Sequence, residues 1–420
     1  MNNTDDVHEL AATRTTPAYL RDALNVDIDR NGKTKRRDGY KLLFSGRAHS
    51  LFGTAELPFG LVVFDGNLCW FDESEPPPVP LLPVDPDARM SYELVGDRVY
   101  WSNGLIRGVV RADKTIYPWG IDTPPAQPLL TTFSGGSMDG GRYQVVVTWL
   151  RDLNGDAGEE SGAMRAATID VADGQGIQLT SIPQPLDPSC TLIRIYQSPP
   201  NGDVLYSAAT VPVGTTSFSL NKRTLGRQLD TLMLDRMPPG TIVRQYRGRM
   251  YSALGSRVTY SDPLRYGLTS RTRNYFDFPG PVLLLEPVED GIYVGTDKQT
   301  FFLSGDDPRS FQLRPIDPHG TIVGSSCRAL GDDFDLDYKG RVACWWNTNG
   351  NLLLGSISGQ IVHLTRKNLS LPRYMSGASL MRESDGKKQL VSSMRHPRNA
   401  GFGAADHAVV QVIRNGVVIP

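Results

Sequence analysis

The side chains best able to hold a metal or act as a nucleophile are six histidines and four cysteines. They are His8, His49, His319, His363, His396 and His407, with Cys69, Cys190, Cys327 and Cys344. No two cysteines stand as a Cys-x-x-Cys pair, and no histidine lies at ligand spacing from a carboxylate cluster, so a zinc site is not expected. There is no GxSxG elbow, phosphate-binding glycine loop, HExxH motif or dinucleotide fingerprint, and no Ser-x-Asp-x-Gly-x-Thr-Trp phrase of the sialidase type. The expectation is a protein that is not an enzyme and uses no cofactor or metal. The cysteines read as small buried apolar residues, a usage that fits a reducing compartment.

Three further stretches carry chemistry of a weaker kind. Asp152, Asn154 and Asp156 place oxygens at alternate positions, like the start of a calcium loop. Ala157 stands where a glycine is needed and Ala163 where a bidentate Glu is needed, so the stretch reads as a surface turn. Lys33, Lys35, Arg36 and Arg37 form a basic cluster that would contact DNA phosphate or an acidic partner subunit, or simply face water at a hairpin tip. From Arg244 to Tyr275, Arg244, Arg247, Arg249, Arg257, Arg265, Arg271 and Arg273 interleave with Tyr246, Tyr251, Tyr260, Tyr266 and Tyr275. This pattern suits a grip on single-stranded nucleic acid, a strand with one wet and one buried face, or a subunit interface. Arg247 and Arg249, with the basic cluster, are the candidate interface or DNA-channel contacts.

These residues must be positioned by strands, because helix signals are almost absent. One phrase recurs five times, at 64–69, 95–100, 246–251, 288–293 and 338–343: an apolar residue, turn formers, a spacer and an apolar pair. Each instance reads as a tight hairpin. Its spacings are 31, 42 and 50 residues, with one gap of 151. Repeats of this length, each holding several strands, point to an all-β fold, a β-propeller. The long gap marks an insertion at 123–236 with about six short strands, the pattern of a fibronectin type III/Ig-like β-sandwich. The expected organisation is a flexible arm at 1–20, propeller at 21–122, the inserted sandwich, and propeller again at 237–420. A strand from residues 24–45 is expected to complete the blade that the C-terminal strands begin, because closure removes an exposed edge.

The 42 glycines and 30 prolines of the 420 residues suit many turns, and a net charge of −1 excludes the footprint of a dedicated nucleic-acid binder. The N-terminus lacks a charged region followed by an apolar one, and no apolar run reaches membrane-spanning length, so synthesis in the cytoplasm is expected.

Asn25-Val-Asp-Ile-Asp-Arg-Asn-Gly-Lys-Thr-Lys-Arg-Arg-Asp-Gly-Tyr40 resembles an N-terminal phrase of virion proteins. Tyr260-Ser-Asp-Pro-Leu-Arg-Tyr266, Asp290-Gly-Ile-Tyr-Val-Gly-Thr296 followed by Phe302-Leu-Ser-Gly-Asp-Asp-Pro308, and the inserted Gly158-Glu-Glu-Ser161 phrase add to it. Together the chain is similar to the tail nozzle, or tail-tip stabilisation, proteins of short-tailed bacteriophages (podoviruses). That resemblance implies a homohexameric ring in the virion tail that ends the DNA ejection channel and retains the packaged genome until host contact. It implies as partners the tail adaptor or tube, tail fibres or tailspikes, DNA passing without sequence readout, and the host outer surface. Two other readings stand beside it. One is a tail-tip binder of host glycan, with Trp101, Trp119, Trp345 or Trp346 stacking on sugars. The other is a propeller hydrolase of surface polysaccharide.

Overall fold

The computed structural model describes residues 26–28, 34–36, 42, 44–72, 77–152, 158–334, 340–365, 374–384, 387–395 and 407–413. Five four-stranded antiparallel meanders and one three-stranded meander follow one another along the chain. Sheet one runs Ala48–Phe52, Gly60–Phe64, Asn67–Phe71, Val79–Pro83, and sheet two Ser91–Val95, Arg98–Ser102, Arg107–Arg111, Ile116–Pro118. Sheet three runs Ile242–Tyr246, Arg249–Leu254, Arg257–Tyr260, Tyr275–Asp277. Sheet four is Val282–Pro287, Gly291–Thr296, Thr300–Ser304, Gln312–Asp317. Sheet five is Cys327–Leu330, Arg341–Trp346, Leu352–Gly355, Ile361–His363, and sheet six Ser376–Ser384, Lys387–Arg395, His407–Ile413. Among the described residues there is no α-helix, and none long and apolar enough to cross a membrane.

Alternation along each strand explains why the sheets stack. Val99 and Trp101 pack on sheet one, whereas Tyr100 between them packs on sheet three. Ile292 and Val294 face sheet three, and Tyr293 faces sheet five. Trp345 turns to sheet four and Trp346 to sheet six. A sheet buried on both faces needs near-continuous apolar strands, and Val342-Ala-Cys-Trp-Trp346 is one. Sheets two to five each bury both faces against their neighbours, and such successive meanders are the blades of a β-propeller.

The recurring phrase lands at equivalent turns with one exception. In sheets two, three and four it joins the first and second strands, and in sheet one the second and third. That offset explains the short first spacing. Measured from the first strands, at Ala48, Ser91, Ile242, Val282, Cys327 and Ser376, the uninterrupted repeats are 43, 40, 45 and 49 residues. Asp65-Gly66 (φ +46° and +78°) and Arg247-Gly248 (φ +44° and +73°) are two-residue turns with positive φ at both centres, which only such pairs tolerate. The fourth instance is looser: the loop after Pro287 closes by Val288 N–H donating to Gly291 O.

The fifth instance, at 338–343, is not a tight hairpin. Leu330 pairs with Arg341, so the connection is the ten residues Gly331 to Gly340, which begin with a single 3-10 turn at Gly331–Phe334. Gly331 N–H donates to Gly340 O at the base of the connection, of which residues 335–339 lie outside the described residues. Of the segment expected to close the ring, residues 24–25, 29–33, 37–41 and 43 lie outside the described residues. Val26–Ile28 pairs with Thr34–Arg36 as a separate hairpin, and all three strands of sheet six come from the C-terminal segment. His407–Ile413 folds back on Lys387–Arg395 as the third strand of sheet six. In sheet six the pairing of the first two strands ends at Ser384 opposite Lys387. The arm at 1–20 lies outside the described residues.

Between sheets two and three, residues 129–220 form two further sheets over one core. One holds Leu129–Met138, Gln175–Thr180 and Phe218–Leu220. The other is built on the long strand Gly141–Arg151, flanked by Leu192–Gln197 and Tyr206–Pro212 on one side and by Glu159–Glu160 and Ala167–Val171 on the other. Val145, Val147, Trp149, Ile177, Leu179, Ile193 and Ile195 fill the space between them.

Candidate functional site

The first strands of sheets two to five bring four charged side chains to the centre of the ring. Glu286, at the end of the apolar run Val282–Pro287, is 1% exposed and accepts from Arg244 Nη2 at 2.7 Å, Arg328 Nε at 3.0 Å and Ser326 Oγ at 2.8 Å. Glu93 is also buried and accepts from Arg328 Nη2 at 2.8 Å and from the Gln245 backbone N–H at 3.0 Å. Arg244 donates onward to Ser91 Oγ and to Val243 O. Two carboxylates and two guanidiniums cancel, and their forks are satisfied, the condition under which buried ions are tolerated. Burial alone would raise the Glu286 pKa. Arg244 and Arg328 outweigh it, and with the bonds from Arg244 and Ser326 they hold the group down at about 2, against an ordinary 4.5. Burial opposes the charge on Arg328, but Glu93 and Glu286 raise its pKa. The network spans 235 residues from Glu93 to Arg328 and ties four blades at one point. Arg89, before the first strand of sheet two, donates to Gly377 O of sheet six and extends the tie.

A second charged cluster fixes the inserted sheets to the ring, around a cavity of about 490 Å³. Arg151, at the end of the long insert strand, is fully buried between Glu159 (2.6 Å) and Asp187 (2.7 Å), and its guanidinium lies 4.5 Å over the ring of Tyr117 in sheet two. Glu159 also meets Arg98 of sheet two at 3.2 Å. Glu160 accepts from Thr148, Tyr196 and Arg194, all within the insert. Asp230 is held by Arg227 and by Arg265 of the ring. Burial would raise the Asp230 pKa, but the hydrogen bonds from Arg265 and Arg227 keep it low. Burial pushes Tyr117 up to about 12. Glu159 and Asp230 sit in ion pairs that bridge the insert and the ring, so the cluster works as a clamp.

The chain enters and leaves the insert side by side. Thr123 Oγ1 donates to Leu234 O, Arg236 Nε to Trp119 O, and Trp119 Nε1 to Tyr266 O. Gly120 makes this possible: its φ is +72°, and an added Cβ would sit 2.5 Å from Gly267 O. Gly120→Ala is expected to cost about 1–3 kcal/mol, read as a lower urea midpoint with an unchanged slope.

The sequence-derived candidates scatter. Lys33 and Arg37 lie outside the described residues; Lys35 and Arg36 are on the strand Thr34–Arg36, and Arg36 is exposed. Arg247 sits in a hairpin turn, paired with Asp306 at 2.8 Å and donating to Glu289 O. Arg249 donates to Ser261 O and lies over the Tyr260 ring. Along 244–275 the tyrosines Tyr246, Tyr251 and Tyr260 are core, while Arg257, Arg265 and Arg271 pair with Asp277, Asp230 and Asp235. The stretch is therefore a blade buried against sheet two on one face and sheet four on the other, and Tyr246, Tyr251 and Tyr260 offer no stacking platform. Trp101, Trp119, Trp345 and Trp346 are each under 3% exposed and unable to stack on a sugar. Cys69, Cys190 and Cys344 are buried and Cys327 partly so, all as free thiols. Among the described residues no three His, Cys, Asp or Glu gather as a metal site; residues 153–157 of the calcium-like loop lie outside them. The axial network went unread in the sequence. Its one signal is a carboxylate ending an apolar strand, in Leu283-Leu-Leu-Glu286.

No protein-family model and no curated protein matches the chain. Solved structures similar to it include BBS1N in complex with ARL6DN (10% identity, 85% of this chain and 94% of that one, TM-score 0.35). Others are the Neurospora crassa Pan2 WD40 domain (9%, 82% and 86%, TM-score 0.32) and the computationally designed Ika8 protein (9%, 83% and 93%, TM-score 0.29). At these identities and TM-scores they carry no argument about function.

Proposed function

We propose that this protein is a structural component of a phage virion: a tail nozzle whose copies form a ring at the distal end of the DNA ejection channel. In this reading the chain is a propeller interrupted by a fibronectin type III-like β-sandwich, and it performs no catalysis. The observation that carries it is the pairing of charge at both clusters. The centre of the propeller is closed by a neutral ion network, and the insert is clamped to the ring by a buried arginine, which gives a stiff body. A channel wall that must let DNA slide needs rigidity and few free cations, since phosphate contacts cause sticking. The virion-protein phrases at 25–40, 260–266 and 290–308 supply the family direction. DNA would then pass between protomers, because the axis of each propeller is filled.

A ring of identical copies needs a heterologous interface that closes, and about six copies are expected. Mass photometry of the purified chain tests this: a species near six times the protomer mass is the expected result. A monomer at all concentrations that binds host lipopolysaccharide would contradict it and favour the receptor-binding reading.

A further inference from the structure

On the side of the sheet-two/sheet-three junction where Arg236 meets Asp122, a cavity of about 400 Å³ opens. Four arginines line it: Arg107 from the third strand of sheet two, Arg236 from the chain leaving the insert, and Arg257 and Arg271 from sheet three and its last loop. Three are matched. Arg236 pairs with Asp122 at 3.1 Å, Arg257 with Asp277 at 2.7 Å, and Arg271 with Asp235 at 3.0 Å. Arg107 is not. It forms no ion pair with any described residue, and its Nε is buried with no hydrogen-bond partner.

An unmatched, half-buried guanidinium beside other cations is costly, because both burial and like charge oppose it. Burial, then Arg236 and Arg271, lower the Arg107 pKa to about 10, and Asp122 restores only part. A protein relieves such a charge with an anion, and a guanidinium fork fits the planar edge of a carboxylate or two oxygens of a phosphate. The other walls suit a small polar molecule. Pro238, Pro239, Leu254 and Tyr275 are apolar, and Thr259 supplies a hydroxyl. The volume lies within the range of small-ligand pockets.

We propose that this cavity is a binding site for a compact oxyanion, a phosphate or carboxylate group carried on a small polar ligand, with Arg107 as its principal contact. The site stands apart from the nozzle reading and from both ion clusters described above.

The test is thermal unfolding of the full chain at constant ionic strength in chloride, phosphate, acetate, glucose 6-phosphate or glucuronate, for wild type and Arg107→Gln. The expected result is a rise in Tm over chloride for at least one oxyanion, with affinity about tenfold or more weaker in the variant. The two phosphates against the two carboxylates identify the head group. In chloride the variant should be at least as stable as wild type, since it loses an unmatched cation. General stabilisation by phosphate acts on both proteins alike. No rise in wild type, or the same rise in both, overturns the proposal. Should the variant fail to fold, phenylglyoxal labelling of wild type read by mass spectrometry decides: protection of Arg107 by the oxyanion supports the site, and equal labelling with and without it overturns it.

Discussion

Glu286→Gln should lower the stability of the chain by about 3–5 kcal/mol, the cost of leaving a buried charge uncompensated. The substitution keeps the shape of the side chain but leaves Arg244 with no carboxylate partner and Arg328 with Glu93 alone. Gln also turns an amide NH2 toward groups that only donate. Because the network joins the first strands of four blades, the loss should appear as a cooperative fall in the guanidinium midpoint. Replacing the whole network with well-packed apolar residues is expected to cost much less, since it also removes the ions that must be desolvated. The pH dependence follows from the same group. The folded pKa of Glu286 is depressed to about 2 from 4.5. Its contribution is therefore present above pH 4.5 and lost as pH falls through that window toward 2. For a fully buried group this is on the order of 3 kcal/mol. Wild type should lose stability steeply over that range, and Glu286→Gln should lose less. Equal pH profiles for the two proteins would refute the assignment.

Arg151→Leu should be comparably damaging, at about 3–5 kcal/mol, and in a different place. The variant leaves Glu159 and Asp187 facing each other without their shared cation and removes the contact over Tyr117. The Asp187 carboxyl, which burial would raise, is held low by Ser189 and by Arg151, and this support would weaken. Arg151→Lys should rescue poorly, because an ammonium cannot fork between two carboxylates and donate to Ser189 Oγ as well. Hydrogen exchange locates the effect: faster exchange is expected where Glu159–Glu160 pairs with Leu150 and Arg151, and little change in sheets four and five.

The parts of the fold that were legible in the sequence are those set by local chemistry. Asp65-Gly66 and Arg247-Gly248 announce their turns because only such pairs accept positive φ at both centres. The β-branched run at Arg142–Leu150 reads as a strand for equally local reasons. The strand Leu129–Met138 was not legible: its Thr, Ser and Gly-Gly content resembles a loop. Gly136 is there because the backbone of Gln175 lies where a Cβ would be, at a register shift. The fifth repeat misled for the opposite reason, since a Lys-Gly-Arg phrase looks like a turn whether or not the strands before it pair closely. The axial network was invisible because Glu93, Arg244, Glu286 and Arg328 each look like an ordinary strand residue. Only the ring brings them together. Arg107 was equally silent: its lack of a partner is a property of three neighbouring ion pairs, each remote from it in sequence.

The most direct test of the proposed role is cryo-electron microscopy of the virus particle that carries this chain. The account predicts a closed ring of about six copies at the distal end of the tail, with each propeller axis filled and DNA density between protomers. Absence of the chain from the tail, or its presence only as isolated peripheral copies away from the channel, would contradict it.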